Sequence, residues 1–515
     1  MVTLAAIGAV LSGTGCLSRT FEVTFDGDVR DAPASGRLVV YLAPAGEGEP
    51  GYSIRRQFPM FGVDVVDAAP GETMMVSKGA TPFVVPAKNL EAGTYRAMGV
   101  LDLARQSTSW RREPGNLYSD VVEIELSHRS AAYPIRLTHV VEARAFPESE
   151  RVREVSVHSE RLSSFRREEV VLRAGVVMPR AYDAGRAYPA LYVVPGFGGD
   201  HFGALGWARR LEGAEPGSDL ARLGESAFVI VLDPDGPNGH TLFADSANNG
   251  PAGESLVYEL IPEIERRFNL ISEPSARMLR GHSSGGWSVV WLALTYPDTF
   301  GAAWSLAPDP VDFRAFQDIN IYEDAAAYLR EQIEYDWLTQ ELLYYDREWV
   351  PSMRDDGEVV VTVRNENRME EVLGPDNASG QQWDSWFAVF GPRNERGHPA
   401  ALWDHPSGRI KRAIARRYVD HDIGLVVEGD PDKARLLRER VRLICGDEDN
   451  YYLNQGVALL AERLASVPRR AGDAGYVRIV AGADHGSIAD TPEARAFDTE
   501  MIEHMRAHGH LEDDR

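Results

Sequence analysis

The sequence predicts an α/β fold with a mostly parallel sheet and helices on both faces, and three observations carry that prediction. Apolar runs of strand length alternate with helical stretches over about residues 155–310 and 435–510. A serine between glycines stands where a strand passes into a helix. An acidic turn and a histidine follow two later strands. Strands that alternate with helices in this way form parallel sheets with crossover helices.

The middle of the chain supplies the strand and helix order. Residues 227–232 are a continuous apolar run with the length of a buried strand. Residues 256–268 form an amphipathic helix, because apolar side chains recur at three- and four-residue steps with charged residues between them. A short strand over 277–280 and a helical stretch over 288–294 follow. This order predicts neighbouring parallel strands.

Ser283 lies between those last two elements, in the run Gly281-His282-Ser283-Ser284-Gly285. A serine on a tight strand-to-helix turn is held in a strained, exposed conformation, and the flanking glycines let other backbone approach closely. The helix that follows directs its N-terminal N–H groups towards the place where an oxyanion would form. Ser283 is therefore the candidate nucleophile, and His282 is expected to be a packed neighbour of the turn.

The other two members of a catalytic triad are predicted at the ends of later strands. The strand 441–445 runs into Gly446-Asp447-Glu448-Asp449, a turn that carries three carboxylates. After a helix over 453–467, the strand 476–480 leads to Asp484-His485-Gly486. Because parallel strands end at one edge of a sheet, His485 is expected to accept the serine proton, and one of the acids is expected to orient it.

With these motifs the chain resembles the putative esterase family of α/β-hydrolases, whose members include enterochelin esterases, S-formylglutathione hydrolases, feruloyl esterases and mycolyltransferases. The matching segments are 188–199, 281–286, 446–449 and 484–486, and the family's usual His-Gly is Pro195-Gly196 here. The resemblance implies an α/β-hydrolase fold and a serine carboxylic-ester hydrolase that forms an acyl-enzyme. Such chemistry needs no cofactor, and the sequence has no metal-ligand spacing or nucleotide-binding motif.

The resemblance also assigns roles to single residues. The acid of the family's G-x-x-D pattern aligns with Asp449, and Asp447 and Glu448 are the alternatives. The backbone N–H groups of Phe197 and Ser284 would form the oxyanion hole.

Three residues near these motifs are not expected to act in the chemistry. His201 and His240 lie in loops that could face the site, but loop histidines are usually solvated surface residues. Cys445 is expected to be a small buried residue of its strand.

Residues 20–148 show a different pattern, with short strands separated by glycine- and proline-bearing turns and no helical periodicity. This pattern predicts an antiparallel β-sandwich ahead of the catalytic domain, which would span 149–515. The sandwich is either a spacer that packs against other parts or a module that binds substrate or glycan. The predicted strands cover 21–25, 37–42, 63–66, 73–76, 94–101, 121–126 and 135–141.

A large insertion over 307–436 precedes the acid-bearing strand. It holds five of the ten tryptophans, namely Trp337, Trp349, Trp383, Trp386 and Trp403. We expect a cap over the carboxyl edge of the sheet that shapes the substrate pocket, with 374–386 at its border. Aromatic residues bury large areas, so the alternative is that most of them form the insertion's own core. Neither His398 nor His405 in this insertion is expected to be the base.

The net charge of the chain and the length of its apolar runs indicate which classes of partner it is suited to bind. The 515 residues include 54 basic and 78 acidic side chains, for a net charge of −24. An acidic chain is poorly suited to nucleic acid or to anionic membrane surfaces. No apolar run reaches the roughly 18 residues of a membrane-spanning helix. The expected partner is a small-molecule or polysaccharide-linked ester.

The first 19 residues read as a targeting segment. An apolar stretch over 4–11 is followed by small residues and Cys16, which resembles a bacterial lipoprotein cleavage site. The expectation is an exported protein with a lipid on Cys16. A cleaved secretory signal and a cytoplasmic protein are the alternatives. Cys16 and Cys445 are the only cysteines, so a lipid on Cys16 would exclude an intramolecular disulfide.

Two other functions share these features. One is a peptidase or amidase that uses the same triad, which an amide substrate would distinguish from an esterase. The other is a non-catalytic surface binding protein on a hydrolase scaffold. The intact triad positions and elbow glycines argue against the second.

Overall fold

The structure, a computed structural model, describes residues 19–104, 106–336 and 338–511, without the side chains of 332–336 and 341–347. Cys16 and Trp337 therefore lie outside the described residues. The described chain divides into two compact units, 19–104 with 115–142 and 106–114 with 143–511. Within the described ranges, every helix is too short or too polar to cross a bilayer.

The first unit is built from strands. They are β1 (Arg19–Phe25), β2 (Ala34–Pro44), β3 (Met60–Ala68), β4 (Met74–Val76), β5 (Thr81–Phe83), β6 (Gly93–Asp102), β7 (Leu117–Ser119), β8 (Val122–Leu126) and β9 (Ala131–Val140). They form one nine-stranded sheet in the order β4-β1-β9-β7-β6-β2-β3-β5, with β8 also paired to β6. Its core includes the inward-facing Phe21, Val23 and Phe25 of β1, all fully buried.

This sheet matches the predicted strands but not all of their pairing. Every predicted strand is present, and β5 and β7 are additional. Hydrogen bonding joins the strands into one connected sheet, whereas a sandwich of two separate antiparallel sheets was expected. β1 also runs parallel to β9, with Phe21 beside Tyr133. Alternation of apolar side chains shows which residues face the core, but it carries no information about the partner strand.

The second unit has an eight-stranded sheet at its centre. Its strands are β10 (Val152–His158), β11 (Val171–Val177), β12 (Ala190–Val194), β13 (Phe228–Leu232), β16 (Arg277–His282), β17 (Ala302–Leu306), β22 (Val441–Gly446) and β23 (Tyr476–Val480); the hairpin β14 (Asp235–Gly236) and β15 (Gly239–His240) lies outside it. The order is β10-β11-β13-β12-β16-β17-β22-β23. β10 and β11 are antiparallel to their neighbours, and the other strands run parallel.

Helices follow most of the parallel strands. They are α1 (Glu160–Arg166), α2 (Gly203–Glu212), α3 (Asp219–Ser226), α4 (Ala252–Ser255), α5 (Ile261–Phe268), α6 (Ser284–Thr295), α7 (Val363–Leu373), α8 (Gln382–Phe390), α9 (Arg412–Ala415), α10 (Ile423–Gly429), α11 (Pro431–Arg440), α12 (Leu453–Ala465) and α13 (Pro492–Ala507). Every residue of β12, β13 and β17 is buried, as expected for parallel strands covered on both faces. The sequence predicts β13, β16, a helix over 256–268 and a helix after Ser283, which begins earlier than the predicted 288. It does not predict β17, the neighbour of β16.

The region of the predicted insertion contains short strands as well as helices. Its hairpins are β18 (Leu329–Asp336) with β19 (Glu341–Trp349), and β20 (Pro351–Asp355) with β21 (Glu358–Thr362). Five aromatic side chains of α8 and its surroundings belong to the same buried cluster as the central sheet, namely Trp383, Trp386, Phe387, Phe390 and Trp403. Trp349 is 48 % exposed. These five residues are buried in a core that they share with the central sheet, whereas the alternative expectation was a core of the insertion's own.

Candidate active site

Ser283 occupies the sharp turn between β16 and α6. Its backbone has φ 59° and ψ −124°, a conformation that non-glycine residues rarely adopt. A Cβ on Gly281 would lie 2.0 Å from the carbonyl oxygen of Gly285, and one on Gly285 would lie 2.0 Å from that of Val194. Both positions therefore require glycine, because backbone passes too close for any side chain. The turn is held further by a 3.0 Å hydrogen bond from the Ser283 N–H to the carbonyl of Leu306.

His485 and Asp449 meet at the ends of the adjacent strands β22 and β23. His485 Nδ1 lies 2.8 Å from Asp449 Oδ2, and the Asp449 side chain is fully buried. Asp449 Oδ1 accepts the backbone N–H groups of Tyr451 at 2.9 Å and Leu453 at 3.3 Å. A proton on Nδ1 directed at the carboxylate leaves Nε2 free to accept one.

The two alternative acids lie elsewhere. Asp447 is exposed and accepts the Gly482 N–H at 2.7 Å, and Glu448 is also exposed. Of the three carboxylates on this turn, Asp449 is the one that contacts His485.

His282 connects the turn to the predicted base. Its ring stacks on the His485 ring with centroids 4.7 Å apart, and its Nε2 donates to the His485 carbonyl oxygen at 2.9 Å. Burial, with the nearby His485 as a smaller contribution, lowers the pKa of His282 to about 4. His282 therefore stays neutral at neutral pH and packs against His485.

The loop after β12 lies against the same turn. A Cβ on Gly196 would be 3.1 Å from the His282 carbonyl oxygen and 3.3 Å from Ser283 Cβ. Phe197 follows directly, so its backbone lies near the nucleophile candidate. Ser284 is the first residue of α6. The structure thus brings both predicted oxyanion-hole residues to the Ser283 turn.

His240 is buried beneath this loop, contrary to the expectation of a solvated side chain. It is 0 % exposed; its Nδ1 accepts the Leu242 N–H at 3.1 Å, and its Nε2 donates to the Pro195 carbonyl at 3.0 Å. Burial lowers the pKa of His240 to about 4. A neutral ring with its proton on Nε2 therefore holds Pro195, two residues before Phe197.

His201 is also buried, so the same expectation is wrong for it. Its ring nitrogens lie 2.8 Å from Asp233 and 2.9 Å from Glu154. Burial alone would lower its pKa, but the two carboxylates outweigh burial and raise it. A lone histidine in a loop gives no signal of such partners, because they come from distant strands.

The segment 106–114 supports this region from another part of the chain. The Arg112 guanidinium pairs with Asp200 at 3.3 Å and with Asp235 at 2.7 Å. Gln381 Nε2 donates to the Thr108 carbonyl oxygen at 3.0 Å. Burial raises the pKa of Asp235 to about 6 despite the nearby Arg112. Asp200 follows the loop that carries Phe197, so Arg112 braces that loop.

Asp309 is the residue at this site that the sequence analysis missed. It follows β17, is 2 % exposed, and its Oδ2 accepts the Ser284 hydroxyl at 2.7 Å, Trp386 Nε1 at 2.7 Å and Gln382 Nε2 at 3.4 Å. Its Oδ1 is 3.5 Å from Ser283 Oγ, which donates to it. Burial raises its pKa. In the sequence, only its position could have pointed to Asp309, because it comes just after an apolar stretch of strand length and would lie at the same sheet edge as Ser283.

Ser283 Oγ makes no hydrogen bond to His485 in the described residues, and its hydroxyl is directed at Asp309. The described residues also contain no cluster of three or more side chains that could hold a metal ion. His405 contacts Asn377 at 2.7 Å, and His398 is held at the backbone by Asn394. The described contacts of these two histidines do not include the Ser283 turn.

Residues 171–405 match the model of a family described as "Putative esterase". The match confirms the family resemblance that the motifs predict, and with it the assignment of the chain as an esterase-type enzyme. Together with the sheet order and the turn at Ser283, it supports the α/β-hydrolase fold. The matched range includes Ser283 and Asp309, while Asp449 and His485 lie beyond it.

Several solved structures are similar to this chain. A ferulic acid esterase has 14 % identity and a TM-score of 0.39, with 68 % of this chain and 99 % of that chain covered. An S-formylglutathione hydrolase from Agrobacterium tumefaciens has 15 % identity and a TM-score of 0.36, with 70 % and 98 % covered. One from Staphylococcus aureus has 13 % identity and a TM-score of 0.35, with 68 % and 99 % covered. No curated protein matches the chain.

Proposed function

We propose that this protein is a serine carboxylic-ester hydrolase in which Ser283 is the nucleophile, His485 the general base and Asp449 the acid that orients it. The observation that carries the proposal is the 2.8 Å contact between His485 Nδ1 and buried Asp449, at the same sheet edge as a serine with a strained backbone. Serine, acid and histidine follow β16, β22 and β23 in that order, which is the chain order of triads on such sheets.

The chemistry would proceed in two steps through an acyl-enzyme. Ser283 Oγ attacks the ester carbonyl carbon while its proton passes to His485 Nε2. The N–H groups of Phe197 and Ser284 would hold the negative oxygen of the tetrahedral intermediate. His485 then protonates the departing alcohol. A water molecule, deprotonated by His485, attacks the acyl carbon and releases the acid.

Attack requires the Ser283 hydroxyl to turn from Asp309 to His485. The turn is a rotation about the Cα–Cβ bond, and the stacked His282 ring keeps His485 beside it. Neutral His282 adds no positive charge next to the proposed base.

We also propose that the insertion 307–436 forms part of the substrate pocket. Gln382 and Trp386 of α8 reach Asp309, which in turn contacts Ser283. The loop before α8 would border the cleft. The expected substrate is a small-molecule or polysaccharide-linked ester.

The decisive experiment compares wild-type protein with Ser283→Ala on p-nitrophenyl acetate, butyrate and octanoate. We expect kcat/KM to fall by about 10⁴ or more in the variant, because the nucleophile is lost. Ser288→Ala is the matched control, since Ser288 lies on the same helix and its hydroxyl bonds the Ser284 carbonyl at 2.8 Å. Equal activity of Ser283→Ala and wild type would sink the proposal.

An anilide with the same acyl group tests the alternative of an amidase. We expect ester turnover to exceed anilide turnover by several orders of magnitude. Faster anilide cleavage would reassign the protein as an amidase with the same residues. Tight ligand binding without any turnover would support a binding protein instead.

We further propose that the protein is exported and carries a lipid on Cys16. Cells fed labelled palmitate should incorporate the label into the wild-type chain and not into Cys16→Ser. Label in both proteins, or in neither, would contradict the proposal.

A further inference from the structure

The hydrogen bonds of Asp309 are distributed unevenly between its two oxygens. Oδ2 accepts three donors, from Ser284, Trp386 and Gln382. Oδ1 has one contact within the described residues, the Ser283 hydroxyl at 3.5 Å, which is at the outer limit of a hydrogen bond. Three donors on one oxygen hold the carboxyl group in place and direct the other oxygen at Ser283 Oγ.

No arginine or lysine pairs with this carboxyl group in the described part of the chain. The side chain is buried, and its hydrogen-bond donors within the described residues are neutral groups of Ser283, Ser284, Gln382 and Trp386. A buried acceptor without a partner is costly, and more so when it carries charge. Oδ1 therefore depends on the single hydroxyl that points at it.

That hydroxyl leaves when the reaction begins. For nucleophilic attack the Ser283 proton must face His485, so Oδ1 loses its donor at the same moment. The vacated oxygen then faces the space beside the nucleophile. Because Ser283 Oγ bonds the carbonyl carbon, the substrate atoms nearest to Oδ1 are those on the first or second carbon from the ester group.

We propose that Asp309 is a specificity-determining residue that selects esters with a hydroxyl or N–H group on the first or second carbon from the ester group, because that donor replaces the Ser283 hydroxyl on Oδ1. The inference rests on the proposed function, and it names the substrate class of that same site. Esters without such a donor leave Oδ1 unpaired in the transition state. A site with a buried polar group discriminates strongly against analogues that cannot pair with it.

The test uses the full-length protein and two matched sets of esters. The acyl-side set comprises the phenyl esters of α-hydroxybutyric, α-methoxybutyric and butyric acid. The alcohol-side set comprises the 2-hydroxyethyl and 2-methoxyethyl esters of butyric acid. Each kcat/KM is divided by the rate of hydroxide-catalysed hydrolysis of the same ester, which removes the inductive effect of the substituent. We expect the hydroxyl compound to exceed its methoxy partner by roughly 10- to 100-fold on one of the two sides.

Asp309→Asn should remove this preference. An amide nitrogen cannot accept hydrogen bonds, so the amide oxygen would face Ser284, Trp386 and Gln382, and the NH₂ group would face Ser283. A donor then stands where an acceptor stood. Hydroxyl and methoxy oxygens both accept hydrogen bonds, so we expect the ratio to fall to about one.

Glu366→Gln is the matched control. Glu366 is a buried carboxyl that accepts the hydroxyl of Ser352 and, at 3.0 Å, Nε1 of Trp383, so its donors are of the same kinds. Its substitution should leave the hydroxyl-to-methoxy ratio unchanged. A preference for the hydroxyl that survives in Asp309→Asn would contradict the inference.

The wild-type comparison stands even if Asp309→Asn fails to fold. Ser283-dependent hydrolysis with a ratio near one on both sides would overturn the inference and leave the proposed function intact. A loss of all Ser283-dependent ester hydrolysis would overturn the proposed function itself. The two failures are therefore distinguishable.

Discussion

Ser283 is flanked by two regions that each contain a buried aspartate with a different set of partners. On the sheet side, Asp449 holds an imidazole ring and two backbone N–H groups. On the insertion side, Asp309 holds side chains of α6 and α8 and directs one oxygen at Ser283. The first arrangement suits proton transfer, because its partner can change charge. The second suits recognition, because one acceptor is left for a donor from outside.

The two aspartates are both buried, so the roles we propose for them differ because their hydrogen-bond partners differ. In the proposed reaction, the ring beside Asp449 becomes positive and pairs with that carboxylate. Asp309 has neutral hydrogen-bond donors within the described residues, and burial raises its pKa. The predictions below separate the two sides.

The largest effect is expected for Asp449→Asn on the sheet side. An amide at this position no longer favours the tautomer with a proton on Nδ1, so kcat should fall by about 10³ to 10⁴. Asp447→Asn is the control on the same turn, and it should stay within about threefold of wild type because Asp447 is exposed. Initial rates on p-nitrophenyl butyrate measure both. Equal losses in the two variants would remove Asp449 from the site.

A smaller effect is expected for His240→Phe, beneath the loop that carries Phe197. The Pro195 carbonyl would lose its donor, and the loop would shift. We expect kcat to fall roughly 10- to 100-fold with little change in KM, because the oxyanion contacts act mainly in the transition state. A variant that changes KM alone would show that the loop binds substrate instead.

On the insertion side, Trp386→Phe removes one donor from Asp309 and keeps an aromatic ring. We expect about a tenfold loss of kcat/KM for the phenyl ester of α-hydroxybutyrate, because the carboxyl group is less firmly held. Trp383→Phe on the same helix removes the donor to Glu366 and should lower only the thermal midpoint. An identical effect on catalysis from both substitutions would show that α8 acts through general packing.

The smallest effect concerns stability, and it involves Asp384 at the start of α8. Burial raises its pKa from 3.8 to about 7. The folded state therefore holds this proton more tightly than the unfolded state, so the stabilisation is present below about pH 4 and is lost as pH rises through 7. Urea unfolding should show a steeper fall in unfolding free energy between pH 5 and pH 8 for wild type than for Asp384→Asn. Parallel curves would contradict the raised pKa.

The residues on the sheet side could be predicted from the sequence because the order of strands and helices determines where their side chains lie. Strand ends of a parallel sheet lie along one edge, so residues as far apart as Ser283 and His485 are brought together by the order of the elements. The choice of Asp449 over Asp447 came from the family pattern, since both follow the same strand. The strands of the first unit were predicted equally well from alternation.

The contacts on the insertion side could not be predicted from the sequence, because the residues that make them follow no periodic pattern and no fixed spacing. Asp309 lies 73 residues before Gln382 and 77 before Trp386. The burial of His201 and His240 was missed for the same reason, since their partners come from other loops and strands. The pairing of β1 with β9 likewise joins distant segments.

The placement of residues 106–114 affects the design of truncated forms of this protein. The hydrolase unit is not one continuous stretch of codons, so a fragment that starts at residue 149 leaves Arg112 and Arg144 behind. Asp200 and Asp235 would then face each other without their guanidinium partners, next to the loop that carries Phe197. Every truncated or chimeric protein that begins at residue 149 would therefore lack these ion pairs.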